Sequence, residues 1–175
     1  SVNVLSLPES DISGPASVCA GEVGSAYSTT NSDNYQYEWS SDNGDITTAA
    51  NISQILVDWG TTAETKSLNL VVIDNVTGCN LQKQISVQVF PLPSFSIAGP
   101  TTLCGGADPK VYSTSSNQNY QYNWYTDDAE ITTPTDINQV GVDWGVIPGT
   151  KTLHLVITDK TSGCQAEKQI SVEVK

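Results

Sequence analysis

The pentapeptide Tyr35-Gln36-Tyr37-Glu38-Trp39 returns with one change as Tyr120-Gln121-Tyr122-Asn123-Trp124, and the offset, 120 − 35 = 85, recurs along the whole chain. It carries Cys19 to Cys104, Val57-Asp58-Trp59-Gly60 to Val142-Asp143-Trp144-Gly145, and Gly78-Cys79 to Gly163-Cys164, with no insertion or deletion between them. A chain written this way is expected to fold as two copies of one unit. The expected boundaries are residues 1–90 and 91–175, which puts each copy near the small end of self-sufficient domains. Ser1-Val2-Asn3-Val4, set beside Ser86-Val87-Gln88-Val89 and Ser171-Val172-Glu173-Val174, reads as the tail of a preceding repeat, so more copies are expected upstream.

Within each copy the apolar residues alternate with polar ones, the period of a strand with one buried and one wet face. Tyr35, Tyr37 and Trp39 therefore point one way and Gln36 and Glu38 the other. Ile55, Val57 and Trp59 form a second inward row, Leu68, Leu70 and Val72 a third, and Ile85, Val87 and Val89 a fourth, each matched 85 residues later. Asp58 and Asp143 face outward on the same logic, and Gly60 and Gly145 end their strands. No segment has a helical period. About seven short strands per copy, separated by Asn-, Gly- and Pro-bearing turns, predict an all-β chain of two tandem immunoglobulin-like β-sandwiches with a tryptophan in each core. The rival for the aromatic face, an exposed platform for stacking sugar rings, would strip each sandwich of its largest core residue. Asp42-Asn43-Gly44-Asp45 is expected to close a hairpin, a signal that Asp127-Asp128-Ala129-Glu130 repeats more weakly. Leu5-Ser6-Leu7-Pro8 and Phe90-Pro91-Leu92-Pro93 read as short proline-bearing connectors.

The net charge is −12, from 19 acidic residues against seven basic ones, all Lys. Such a field argues against nucleic acid and against an anionic membrane surface as partners. No apolar run approaches the roughly 20 residues that span a bilayer, so direct membrane insertion is not expected.

Cys19 and Cys79 in the first copy, and Cys104 and Cys164 in the second, share one separation, and an even count per copy favours a disulfide inside each. Two reduced, buried thiols per unit are the alternative. Zinc is poorly supported, because there is no Cys-x-x-Cys and His154 is the only histidine.

Little else in the chain suggests chemistry. His154 lies in Leu153-His154-Leu155, turned outward, without an aligned nucleophile and with Asn69 as its counterpart, so no catalytic residue is assigned and the chain is read as not an enzyme. Asp42, Asp45, Asp127, Asp128 and Glu130 offer the oxygens that calcium needs, but their spacing departs from a calcium loop and ordinary solvated turns are the simpler account. No other cofactor is implied. Asn51-Ile52-Ser53 and Asn75-Val76-Thr77 fit the glycosylation triplet in the first copy alone. Tyr125, which replaces Ser40 and faces opposite to Trp124, is the one ligand-contact candidate.

The ordered set Gly-Pro-x-x-Val/Leu-Cys, Tyr-Ser, Tyr-x-Tyr-x-Trp, Ile-Thr-Thr, Val-Asp-Trp-Gly and Gly-Cys before Ser-Val-x-Val resembles the PKD-like, immunoglobulin-like repeats of large Bacteroidetes surface proteins, in their cysteine-bearing variant. The Trp-x-Phe-Gly-Asp-Gly motif of ordinary PKD domains is absent after Trp39 and Trp124. The resemblance implies export by the type IX route and display in long arrays as stalks, spacers or adhesins, gliding adhesins included. The expected function is thus a non-catalytic spacer of a cell-surface or secreted protein, whose partners are adjacent repeats of the same polypeptide, surface glycans or other surface proteins. Its rivals are a carbohydrate-binding or adhesive module, for which Tyr125 would be the contact, and an accessory domain of a secreted polysaccharide-degrading enzyme.

Overall fold

A computed structural model describes residues 4–175; of the tail-like segment Ser1-Val2-Asn3-Val4 only Val4 is among them, exposed and outside any strand. The chain divides into two compact units, one ending at Pro91 and the other running from Leu92 to Lys175. Both are all-β, and no helix occurs among the described residues. The first holds β1 (Ser17–Cys19), β2 (Ser25–Ser28), β3 (Tyr35–Ser41), β4 (Asp45–Ile46), β5 (Gln54–Asp58), β6 (Thr65–Asp74) and β7 (Asn80–Phe90). The second holds β8 (Thr102–Leu103), β9 (Lys110–Ser113), β10 (Tyr120–Thr126), β11 (Glu130–Ile131), β12 (Gln139–Asp143), β13 (Gly149–Asp159) and β14 (Gln165–Val174).

In the first unit one sheet has the order β1-β7-β6-β3 and the facing sheet β2-β5-β4. The second unit repeats this as β8-β14-β13-β10 and β9-β12-β11. Neighbours pair antiparallel except β1 on β7 and β8 on β14, which are parallel. Each unit is an immunoglobulin-like sandwich with seven strands and its own core.

The alternation read from the sequence places the cores. Ile55, Val57, Trp59, Leu68, Leu70, Val72, Val87 and Val89 have no measurable exposure, and Trp39 and Tyr37 are buried beside them. Buried indole N–H groups need acceptors, and Trp39, Trp59 and Trp124 find them, whereas Trp144 Nε1 is buried without one. Trp39 Nε1 donates to Ile52 O at 2.9 Å, as Trp124 Nε1 does to Ile137 O at 2.9 Å. Trp59 Nε1 donates to Tyr27 Oη at 3.1 Å, and Tyr27 Oη donates to Pro15 O at 3.0 Å, tying the facing sheet to the segment before β1. The tryptophans are therefore structural, and the sugar-platform reading of the Tyr-x-Tyr-x-Trp face falls.

The Gly-Pro turn lies flat on this tyrosine. A Cβ built on Gly14 or Gly99 would enter the ring of Tyr27 or Tyr112, so the close approach of backbone to ring requires glycine at both places. Burial also pushes the Tyr27 phenol up to about 12, against the opposing hydrogen bond from Trp59. The protonated phenol is the form the fold favours, so its contribution is complete below pH 10 and declines as pH rises towards 12. Urea midpoints of the wild type should fall over that window, and Tyr27→Phe should flatten the fall; an unchanged slope would refute the assignment.

One expectation is corrected. Asp42-Asn43-Gly44-Asp45 does not close a hairpin, because β3 pairs with β6 while β4 pairs with β5 in the other sheet. The turn crosses between sheets, with Asn43 at φ 61° in the left-handed region that Asn tolerates. A Cβ on Gly44 would stand 2.9 Å from the Trp59 ring, so this glycine answers to packing against the core rather than to hairpin geometry.

Candidate functional site

The outward face of the β10-β13-β14 sheet carries the most organised group of side chains in the second unit. Tyr125 on β10 and His154 on β13 are cross-strand partners. Their rings stack with centroids 4.5 Å apart and planes 7° from parallel. Glu167 on β14 fastens the pair: Tyr125 Oη donates to its Oε1 at 2.5 Å, and His154 Nδ1 lies 3.0 Å from the same oxygen. The bond from Tyr125, then that from His154, holds the Glu167 carboxyl below its usual range, and the same carboxylate raises the Tyr125 phenol. Tyr125 remains 36% exposed. The arrangement is a small rigid aromatic platform with a carboxylate at its edge, able to stack an apolar ring face and accept hydrogen bonds beside it. In the first unit the corresponding positions are Ser40, Asn69 and Gln82, with Gln84 Nε2 donating to Asn69 Oδ1 at 2.8 Å. The platform belongs to the second unit alone.

Sequence reading singled out Tyr125 and set His154 aside; Glu167 escaped it. The available signal was the alternation of β14, which turns Glu167 outward, but the neighbourhood of three residues on three strands depends on register.

The acidic turns stay dispersed. Among the described residues no three of His, Cys, Asp and Glu come together in a way that could hold a metal ion. Asp45 opposes Asp58 and Glu130 opposes Asp143 across their strand pairs. Asp58 Oδ1 accepts from Gly24 N at 2.6 Å and Asp143 Oδ1 from Gly145 N at 2.9 Å, so these outward carboxylates serve local backbone. Asp42, Asp127 and Asp128 lie on the surface turns that follow β3 and β10. Asn51 and Asn75 are both exposed in turns.

The cysteines require the second correction. Cys19 is registered with Phe90 at the end of β7, whereas Cys79 immediately precedes β7. Eleven residues of strand separate these ends by roughly 33 Å, against the 4.4–6.8 Å or so that a disulfide spans between Cα atoms. Cys104 follows Leu103, which is registered with Val174, while Cys164 precedes β14, so the second unit has the same separation. Within-unit bonds Cys19–Cys79 and Cys104–Cys164 are thus excluded by strand length. Cys19 and Cys164 are nevertheless each disulfide-bonded, and Cys79 and Cys104 are free thiols.

Comparison with known proteins gives the fold a family. Residues 6–89 match the profile of the PKD-like domain. No curated protein sequence matches the chain. Similar solved structures include the fibronectin(III)-like modules of Clostridium thermocellum CbhA, at 15% identity and TM-score 0.43 over 95% of this chain and 93% of that one. A SusE-like surface-located polysaccharide-binding protein from the heparin utilisation locus of Bacteroides thetaiotaomicron aligns at 10% identity and TM-score 0.44 over 94% of this chain and 34% of that one. Drosophila N-cadherin EC1-3 aligns at 12% identity and TM-score 0.38 over 93% and 64%. The first unit is a PKD-like domain, and the second repeats its strand order and eleven of its twelve buried core positions at an offset of 85.

Proposed function

We propose that this chain is a non-catalytic stalk or spacer segment of a large cell-surface or secreted bacterial protein, the shaft of an adhesin in the fullest form of that reading. The observation that carries it is where the chain enters and leaves each sandwich. In the first unit the incoming segment lies at the leading end of β7, where Lys83 Nζ meets Asp11 Oδ1 at 2.7 Å, and the chain leaves from Phe90 at the far end. In the second, Lys168 Nζ donates to Phe95 O near the leading end of β14, and the strand ends at Val174. A unit entered at one end and left at the other adds its own length to whatever it carries, about 30 Å per strand of this size. The gapless offset of 85 keeps that increment constant. The acidic surface would keep neighbouring arrays soluble and apart, and bonded cysteines accord with an oxidising, extracellular setting. Bacteroidetes origin, type IX export and gliding belong to the resemblance.

The stacked Tyr125–His154 pair favours a second reading, an adhesive module that takes a sugar ring on the Tyr125 face. One experiment separates the two: the chain and Tyr125→Ala are passed over an array of immobilised glycans and polysaccharides, with calcium and with chelator. The spacer reading expects silence from both proteins in both buffers. Saturable binding reduced at least tenfold by Tyr125→Ala would replace it with the adhesive one.

A further inference from the structure

Among the described residues, Phe95 is the one member of the second unit's core cluster whose counterpart 85 positions earlier is polar: Ser10 stands in the first unit where the phenyl ring stands in the second. In the second unit that ring is 6% exposed. Lys168 on β14 lies over it, with Nζ 5.3 Å from the ring centroid, and donates to the Phe95 carbonyl. In the first unit Ser10 is equally buried, and its hydroxyl is bonded to that of Thr29. The groups that would hold a ring are still present. Lys83, the counterpart of Lys168, is turned to Asp11 Oδ1 at 2.7 Å. Leu81, which replaces Ala166, lies on the same face of β7 and is not among the residues packed on the first core, whereas Ala166 is packed on the second.

The missing ring leaves space. Two open clefts meet at Ser10, and Glu9, Ser10 and Asp11 line both. One, of about 580 Å³, runs between Leu7, Pro8, Leu81 and Lys83; the other, of about 680 Å³, is bordered by Thr29 and Tyr35.

We propose that this hollow is a socket for an aromatic side chain carried on an extended, basic segment of another protein, the ring taking the place that Phe95 fills in the second unit. Leu7, Pro8 and Leu81 supply apolar walls, and an aromatic anchor in such a pocket is a common centre of binding energy. Lys83 supplies an ammonium group to lie over the ring, as Lys168 does over Phe95. Its bond to Asp11 is an exposed ion pair, which holds weakly, so the lysine can turn from the carboxylate to the ring. That turn frees Asp11, which with Glu9 brackets Ser10, to pair with basic residues beside the ring. The net charge of −12 draws such a segment in. The socket is independent of the Tyr125 platform, which belongs to the other unit, and does not require the spacer reading.

The test is a titration of the whole nitrogen-15-labelled chain, followed by amide chemical shifts, with the peptide acetyl-Lys-Phe-Lys-amide. Acetyl-Lys-Ala-Lys-amide serves as a probe of equal charge without the ring. The phenylalanine peptide is expected to move the amides of Ser10, Asp11, Thr29 and Lys83 saturably and to bind at least tenfold more tightly than the alanine peptide. Ser10→Phe, which gives the first unit the residue the second carries, should lower that affinity to the level of the alanine peptide. Equal affinity of the two peptides for the wild type, or undiminished affinity of the phenylalanine peptide for Ser10→Phe, would overturn the proposal and leave only the attraction of cations to an acidic surface. Should Ser10→Phe fail to fold, Lys83→Gln decides. It removes a positive charge, so general attraction predicts tighter binding of a cationic peptide, whereas loss of the cation over the ring predicts binding at least threefold weaker. Tighter or unchanged binding would sink the socket.

Discussion

Trp124→Ala is expected to destabilise the second unit strongly while leaving the stability of the first unchanged. The side chain is 1% exposed, packs between the two sheets, and donates its only N–H to Ile137 O at 2.9 Å. Truncating a buried tryptophan costs about 3–5 kcal/mol, from lost transfer energy and from a cavity that the sheets cannot close. A unit of this size has roughly 4–13 kcal/mol in total, so the loss takes about a quarter of its stability or more. Hydrogen exchange followed by mass spectrometry separates the units: amides of β10, β13 and β14 should lose protection while those of β3, β6 and β7 keep it. Protection in the second unit lowered by less than tenfold would mean that the tryptophan is not the centre of that core.

Lys66→Met is expected to destabilise the first unit by about 2–3 kcal/mol, more than most single surface changes. Lys66 is 5% exposed, an unusual place for an ammonium group. Its Nζ donates to Trp59 O and, at 2.8 Å, to Asn43 O, and has Glu64 Oε1 at 4.0 Å. One cation thereby satisfies the carbonyl where β5 ends and the carbonyl of the turn that crosses between the sheets. Methionine keeps the volume and removes the donor, leaving both carbonyls to find other partners. Lys151, the counterpart in the second unit, donates to Trp144 O at 2.5 Å from a more open position, so Lys151→Met should cost less. Exchange protection at β5 and the β3–β4 turn is the measurement; equal losses for the two variants would sink the burial argument.

Neither lysine stood out in the sequence. Lys66 opens the run Lys66-Ser67-Leu68-Asn69-Leu70-Val71-Val72, where alternation does turn it inward with Leu68 and Leu70, but a charged residue at the start of a strand reads as its solvated end. What makes the position bearable is a pair of carbonyls from two other segments, and only the folded chain brings them there.

The cysteines and the Asn-Gly turn divide along the same line. Two cysteines per copy suggest a staple, and Asn-Gly between strands suggests a hairpin, because each inference assumes that partners close in one description are close in space. In the fold the β1–β7 register places Cys19 at Phe90, and β3 and β4 join different sheets. The aromatic platform has the same origin: Tyr125, His154 and Glu167 lie on three strands, the first and last 42 positions apart.

The sequence by itself determined the two-unit plan, the seven strands of each unit, and the inward set Tyr37, Trp39, Ile55, Val57, Leu68, Leu70 and Val72, because repetition and alternation are local properties that survive any choice of partner strand. Only the tertiary structure decided which strands pair, which end of a sandwich each cysteine occupies, and which outward side chains meet. Those depend on hydrogen-bond register between segments tens of residues apart, and register is selected by how two apolar faces fit together, which no single strand encodes.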